Sequence, residues 1–261
     1  VFGGAAGGGK SYGLLMECAR HLAVPDFGAV IFRRIFPSVV RQGGLWDTSQ
    51  ELYPLIGGTP FLSPTHEWRF PSGSRVSFHH LEHEKHRLDW AGAQVQLLCF
   101  DQLEEFSEAQ WWYLLSRNRS TCGVRPYVRT TCNPVPADDP TGGWLHKLIS
   151  WWIDCDCQFC GSRPPGTPPA TGLPRRDRAG LLRWFVRVNE KLSWADHPDT
   201  LRVRFPQIRP EDLQPKSVTF VPGTLDDNPI LTEADPGYRA TLLAMPMVER
   251  ERLLAGNWKV K

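Results

Sequence analysis

The chain has 261 residues, enough to bury a sizeable core as one large domain or two small ones. Hydrophobic residues at 41% and charged residues at 22% exclude an intrinsically disordered chain, and a net charge of +2 excludes a uniformly basic surface, so any contact with nucleic acid has to come from a local patch. No apolar run approaches the roughly 18 residues a membrane helix needs and no charged leader with a cleavage site is present, which predicts a cytosolic protein with no membrane partner.

The first segment, GGAAGGGKSYGLLMECARHLAV, opens on glycines and continues with Leu14, Leu15, Cys18 and Leu22 at helical spacing. Gly4, Ala5, Ala6, Gly7, Gly8, Gly9, Lys10 and Ser11 satisfy the phosphate-loop pattern G-x-x-x-x-G-K-[ST], with Tyr12 next in line. Glycines let backbone N–H groups close around a polyphosphate and the following helix offers its positive end; Lys10 reaches the outer phosphates and Ser11 can ligate magnesium. Only Val1 and Phe2 precede the glycines where a full buried strand is normal, so the sequence is expected to begin inside a longer polypeptide.

GAVIFRR then reads as a short buried strand, PSVVRQGGLWDTSQELYPLI contains an amphipathic helix, and EWRFPSGSRVSFHHL reads as two alternating strands joined by a Pro-Ser-Gly turn. His79, His80, His83 and His86 crowd together next, but the intervening Glu and Lys mark a solvated segment rather than a metal site. VQLLCF is a buried strand ending in Asp101, placed to hold magnesium as a Walker B acid does. The next position, where a water-activating glutamate is expected, is Gln102, and a neutral amide orients water but is a negligible base. Glu104 and Glu105, three and four residues past Asp101, either swing toward the phosphates on a helical turn or are solvated surface acids.

SEAQWWYLLSRNR is a helix capped by Ser107, and PYVRTTCNP a strand ending at a proline. Strands alternate with helices through about residue 153, which predicts the α/β class: a phosphate-loop core with a mostly parallel sheet flanked by helices over 1–153. Trp111, Trp112, Trp151 and Trp152 are read as packing residues rather than base-stacking platforms. Cys18, Cys99, Cys122 and Cys132 sit singly as small hydrophobes, whereas CDCQFC gathers Cys155, Cys157 and Cys160. Zinc wants four ligands, and His146, Cys122 or a loop residue would supply the fourth; the paired C-x-x-C motifs of common zinc sites are absent, so reduced thiols in an exposed insertion stand as the alternative. Residues 154–180 read as that Cys-, Pro- and Arg-rich insertion, whose Arg163, Arg175, Arg176 and Arg178 would make non-specific duplex contacts or belong to a basic loop. Regular structure resumes over 181–261 with LLRWFVRVNEKLSW, KSVTFVPGTL and a final helical stretch.

Three segments carry a resemblance: FDQLEEFSEAQWWYLLSRNR, VRTTCNPVPADDPTGGWLHKLI and KSVTFVPGTLDDNPILTEADPGYRATLLAMPMVERERLLAGNW. In order and spacing they resemble the ATPase half of the large terminase subunit of tailed bacteriophages, most specifically at Gly256, Asn257 and Trp258. The resemblance implies an ATP- and magnesium-dependent motor that drives double-stranded DNA through a portal ring into a procapsid, in the host bacterial cytoplasm. Its partners would be a small terminase subunit and further copies of itself in a ring. A nuclease domain is expected after about Lys261, an adenine-contacting segment before the phosphate loop, and a small C-terminal lid-like subdomain within 181–261. The family pattern has Asp-Glu where this chain has Asp101-Gln102, so turnover is expected to be impaired. TTCNP falls at the family's coupling motif, implying Thr131 and Asn133 as coupling residues, and Arg87, Arg117 and Arg119 are candidates for the arginine that stabilises the transferring phosphate. A helicase-like phosphate-loop translocase and a non-hydrolysing nucleotide-binding assembly subunit are the alternatives.

Overall fold

The computed structural model describes residues 1–159 and 166–260. Its strands are β1 (Phe2–Gly4), β2 (Gly28–Arg33), β3 (Thr59–Phe61), β4 (His66–Arg69), β5 (Arg75–His80), β6 (Leu97–Phe100), β7 (Tyr127–Cys132), β8 (Leu182–Val188), β9 (Lys191–Ala195), β10 (Lys216–Thr219) and β11 (Val221–Gly223). Eight of them form one sheet in the order β11-β1-β7-β6-β2-β5-β4-β3, parallel except where β4 pairs with β5 and with β3. A three-stranded antiparallel sheet, β10-β8-β9, stands apart. The class is therefore α/β with a mostly parallel sheet.

β6 is apolar at every position and β2 from Ala29 to Phe32, because both faces are covered there. In β2 and β6, Ala29, Ile31, Leu97 and Cys99 pack on one face, with α1 (Lys10–Ala19), α2 (Pro37–Val40) and α3 (Leu45–Leu52). Val30, Phe32, Leu98 and Phe100 pack on the other, with α4 (Glu108–Leu115) and α5 (His146–Ile149). The side-chain period of two sorts these residues, and Leu14, Leu15 and Cys18 of α1 face the first layer. The amphipathic helix expected within Pro37 to Ile56 is α3, separated from the short α2 at the glycines: Gly43 has φ 69°, and a Cβ on Gly44 would lie 2.7 Å from the carbonyls of Val39 and Arg41. Ser107 caps α4 by accepting from the Gln110 N–H at 3.1 Å, as its position predicts. Trp111 and Trp152 are buried, and Trp112 and Trp151 pack against the same core.

The C-terminal third divides into two parts. β8 and β9 form a hairpin turned at Asn189 and Glu190, both at positive φ, and with α6 (Pro198–Arg204) enclose a small core of Val186, Ala195, Leu201 and Leu213. The chain then returns to the main sheet, where β11 pairs with β1 in the register Phe2 to Val221. α7 (Pro229–Ala234), α8 (Tyr238–Leu243) and α9 (Met247–Leu253) follow, with Pro246 ahead of α9, and Trp258 ends up buried between His146 and Phe220. No helix among the described residues is long and apolar enough to cross a membrane.

Candidate functional site

Because β1, β7 and β6 are parallel neighbours, their carboxyl ends share one edge, where open α/β sheets place their ligands. The glycine-rich loop leaves β1 there. Gly4, at φ 127°, lies so close to β11 that a Cβ would sit 2.5 Å from the Gly223 carbonyl oxygen. Gly7 and Gly9 also take positive φ, and Gly9 immediately precedes α1. Strand and C-terminal segment hold the first half of the loop: the N–H of Ala5 donates to Gly223 O at 2.9 Å and that of Ala6 to Leu253 O at 2.6 Å. No backbone acceptor among the described residues takes the N–H groups of Gly7 to Ser11, which open α1 in the arrangement that binds anions. Asn228, from the start of α7, closes the loop from outside by donating to Gly7 O at 2.7 Å.

Lys10 folds back on this loop, its Nζ donating to Gly4 O at 3.2 Å and to Ala5 O. Burial lowers its affinity for a proton. Tyr12 is half-exposed on the first turn. Ser11 Oγ donates to both carboxylate oxygens of Asp101, at 3.0 and 3.2 Å, joining residues ninety positions apart. Asp101 is fully buried; Thr131 Oγ1 donates to its Oδ1 at 2.5 Å, and Arg33 Nε lies 2.8 Å from its Oδ2. A serine hydroxyl beside a carboxylate is a donor set suited to magnesium, a hard cation that prefers oxygen. Arg33, at the end of β2, offsets the carboxylate charge in its place.

Gln102 follows at φ 59°, and its backbone N–H donates to Thr131 Oγ1 at 2.9 Å. Its neighbours in a cavity of ≈ 500 Å³ include Arg34, Glu104, Glu105, Asn133 and Arg252. Glu104 is the buried acid of this group, which removes the solvated alternative for it. Asn133 Nδ2 donates to one Glu104 oxygen at 2.7 Å, and the other, Oε2, has no hydrogen-bond partner among the described residues. Desolvation pushes the Glu104 carboxyl up to about 7, the hydrogen bonds only partly opposing it. Glu105 is less buried and its carboxyl is also raised by desolvation, with Arg33 the largest opposing influence.

The structure thus brings together the loop, Asp101, Gln102, Thr131 and Asn133. It does not bring Arg117 or Arg119 there: Arg119 N–H bonds Val95 O and its guanidinium reaches Gly92 and Ala93, at the amino end of β6, opposite Asp101. Arg117 is in the same turn, stacked on Tyr113. Arg87 pairs with Glu84 one turn away. Arg33, Arg252 and Asn228 went unread because each is an ordinary polar residue in its own segment; only long-range pairing carries them to the loop. The remaining sequence candidates divide. Cys155 and Cys157 lie with His146, their ligand atoms within 4.8 Å of one another, and this is the one such grouping found among the described residues. Cys160 and Arg163 lie outside the described residues. Arg178 is committed to Trp151, over whose ring it sits at 4.4 Å.

Two solved structures of the large terminase from a thermophilic bacteriophage are similar to this fold, one of them in complex with ADP. Each covers 99% of this chain with a TM-score of 0.57, at 12% and 11% identity respectively. The chain spans about half the length of those proteins, 47% and 48%. Comparison with curated proteins gave no match. The family model for the N-terminal part of the T4likevirus-type terminase large subunit matches residues 1–261, and the chain accordingly belongs to that family.

Proposed function

We propose that this chain is the ATP-hydrolysing motor domain of a DNA-packaging terminase, with Glu104 rather than Gln102 taking the proton of the attacking water. The observation that carries the reading is the pair of hydrogen bonds from Ser11 to Asp101, which sets the phosphate loop beside a buried acid. Phosphates would lie on the N–H groups of Gly7 to Ser11 with Lys10 turning outward to meet them. Magnesium, held by Ser11 and Asp101, would supply neutralisation of phosphate charge. The ADP complex of the thermophilic phage protein supports a nucleotide in this fold.

Gln102 lacks a titratable group, whereas Glu104 has an unpartnered oxygen, a place in the same cavity and a carboxyl that titrates near neutrality, where a general base works best. Thr131 and Asn133, which touch Asp101, Gln102 and Glu104, would pass loss of the outer phosphate to the sheet. By the family's nature the motor would act on double-stranded DNA, seated on a portal ring with a small terminase subunit and further copies of itself.

The test is DNA-stimulated ATP turnover by the full-length chain and two variants. Glu104→Gln is expected to slow turnover by about 100- to 10,000-fold, the usual cost of losing a general base, with nucleotide still bound. Gln102→Glu is expected to change it little. An acceleration of about a hundredfold or more in Gln102→Glu would instead make Gln102 the vacant base position and the natural chain a motor that holds ATP without burning it.

A further inference from the structure

Outside the nucleotide site, one cluster of ligand-type side chains is built where the core meets the Cys-rich segment. His146 is the first residue of α5, is 1% exposed and stands edge-on to Trp258 with ring centroids 5.8 Å apart. Its Nε2 bonds Val135 O at 2.8 Å. A carbonyl can only accept, so Nε2 carries the ring proton when the imidazole is neutral, and Nδ1 keeps its lone pair. That Nδ1 is buried and has no hydrogen-bond partner among the described residues.

The sulfurs of Cys155 and Cys157 lie 3.4 Å apart, and each ligand atom of the trio is within 4.8 Å of the others. The separation is far beyond a disulfide bond of about 2.05 Å. It is close to the spacing of about 3.8 Å that two thiolates acquire at about 2.3 Å from a tetrahedral zinc ion. Cys155 belongs to the buried core and Cys157 packs against it, so the cluster is neither a surface accident nor a chance pair on a mobile loop.

We propose that His146, Cys155 and Cys157 ligate a structural zinc ion. Three of the four ligands of such a site are present: two soft sulfurs and an imidazole whose Nδ1 has a lone pair to give, with a backbone carbonyl fixing the tautomer from behind, as second-shell carbonyls do at zinc sites. Binding displaces the two thiol protons, so occupancy rises with pH. The fourth tetrahedral position is not assigned; Cys160 lies outside the described residues. The ion would pin the start of the Cys-rich segment to α5, and through the His146–Trp258 contact to the segment that holds the phosphate loop. Its role would be architectural and separate from turnover.

The decisive experiment is the metal content of the full-length chain, purified without chelator, by inductively coupled plasma mass spectrometry. One zinc per chain is expected, falling at least about tenfold in Cys155→Ser/Cys157→Ser and in His146→Ala, since even outer-shell changes at zinc sites cost that much affinity. Cobalt(II) loaded into the unmodified chain in place of zinc should give thiolate-to-metal charge-transfer absorption and the visible spectrum of a tetrahedral site, a readout that survives if the variants fail to fold. Absence of zinc from the natural chain, zinc content unaltered in folded variants, or a cobalt spectrum without thiolate bands would each overturn the proposal.

Discussion

Burying the Glu104 carboxyl has a cost that depends on pH, because desolvation penalises its charged form. Its affinity for a proton is higher in the folded chain, about 7, than the ordinary value of 4.5. The folded state therefore holds an extra proton between those two values, and stability declines as pH rises through that window. Below 4.5 the penalty is absent; above 7 it is complete, on the order of 3 kcal/mol from the size of the shift. Glu104→Gln keeps an oxygen for Asn133 and removes the charge. It should be more stable than the natural chain at pH 8 by that order, with the gap closing toward pH 4.5. Urea denaturation of the nucleotide-free proteins across this range checks it, and a gap independent of pH would contradict the assigned burial. At this scale Lys10, Ser11 and Asp101 were legible, since a phosphate loop and a strand-ending acid are local patterns. Glu104 was not, because its burial is supplied by the segment around Gly142, whose Cβ position lies 2.6 Å from the Glu104 carbonyl oxygen.

At the scale of the element, β7 does more than fill the sheet. It lies between the loop strand and the acid strand, with Phe2 opposite Thr131 on one side and Phe100 opposite Thr130 on the other. Thr131 is thereby one position beyond the partner of Phe100, level with Asp101 and Gln102, and its single hydroxyl serves both, donating to the carboxylate and accepting from the Gln102 N–H. Thr131→Val keeps the shape and removes the hydroxyl. It leaves a backbone N–H without its acceptor, so a loss of about 1–3 kcal/mol is expected in urea denaturation. DNA-stimulated turnover should fall further than nucleotide affinity, because Ser11 and the loop N–H groups are untouched; equal losses in both would remove Thr131 from a coupling role. β2, β6 and β7 were legible from runs of apolar and β-branched residues, and β4 and β5 from the Pro-Ser-Gly hairpin. Their lateral order was not, since no local pattern says that β7 inserts between β1 and β6.

Over the whole molecule, the phosphate loop depends on residues more than two hundred positions away. β1 is three residues long and gains a partner on its outer side only when β11 returns to it, and Ala6 is fixed by Leu253 of the last helix. Such pairings leave no mark on a short stretch of sequence, so nothing in 181–261 taken alone shows which part of it returns to the sheet. What anchors the returning segment is Trp258, 1% exposed and packed against Phe220 and His146 at 5.9 and 5.8 Å between ring centroids. Gly256, two residues earlier, lies against the loop, where a Cβ would be in ordinary contact with the Ala5 nitrogen at 3.4 Å, and its φ of 72° is what favours glycine there. Trp258→Ala opens a cavity at this anchor and should cost about 3–5 kcal/mol. Trp258→Phe should cost less, since it retains an aromatic ring and deletes an indole N–H that has no partner among the described residues. If the segment positions the loop, the alanine variant will also bind ATP more weakly at temperatures where circular dichroism finds it fully folded, and the phenylalanine variant will recover much of that affinity. A folded alanine variant with unaltered affinity would mean that β1 and α1 shape the loop unaided and that the C-terminal segment only stabilises the sheet.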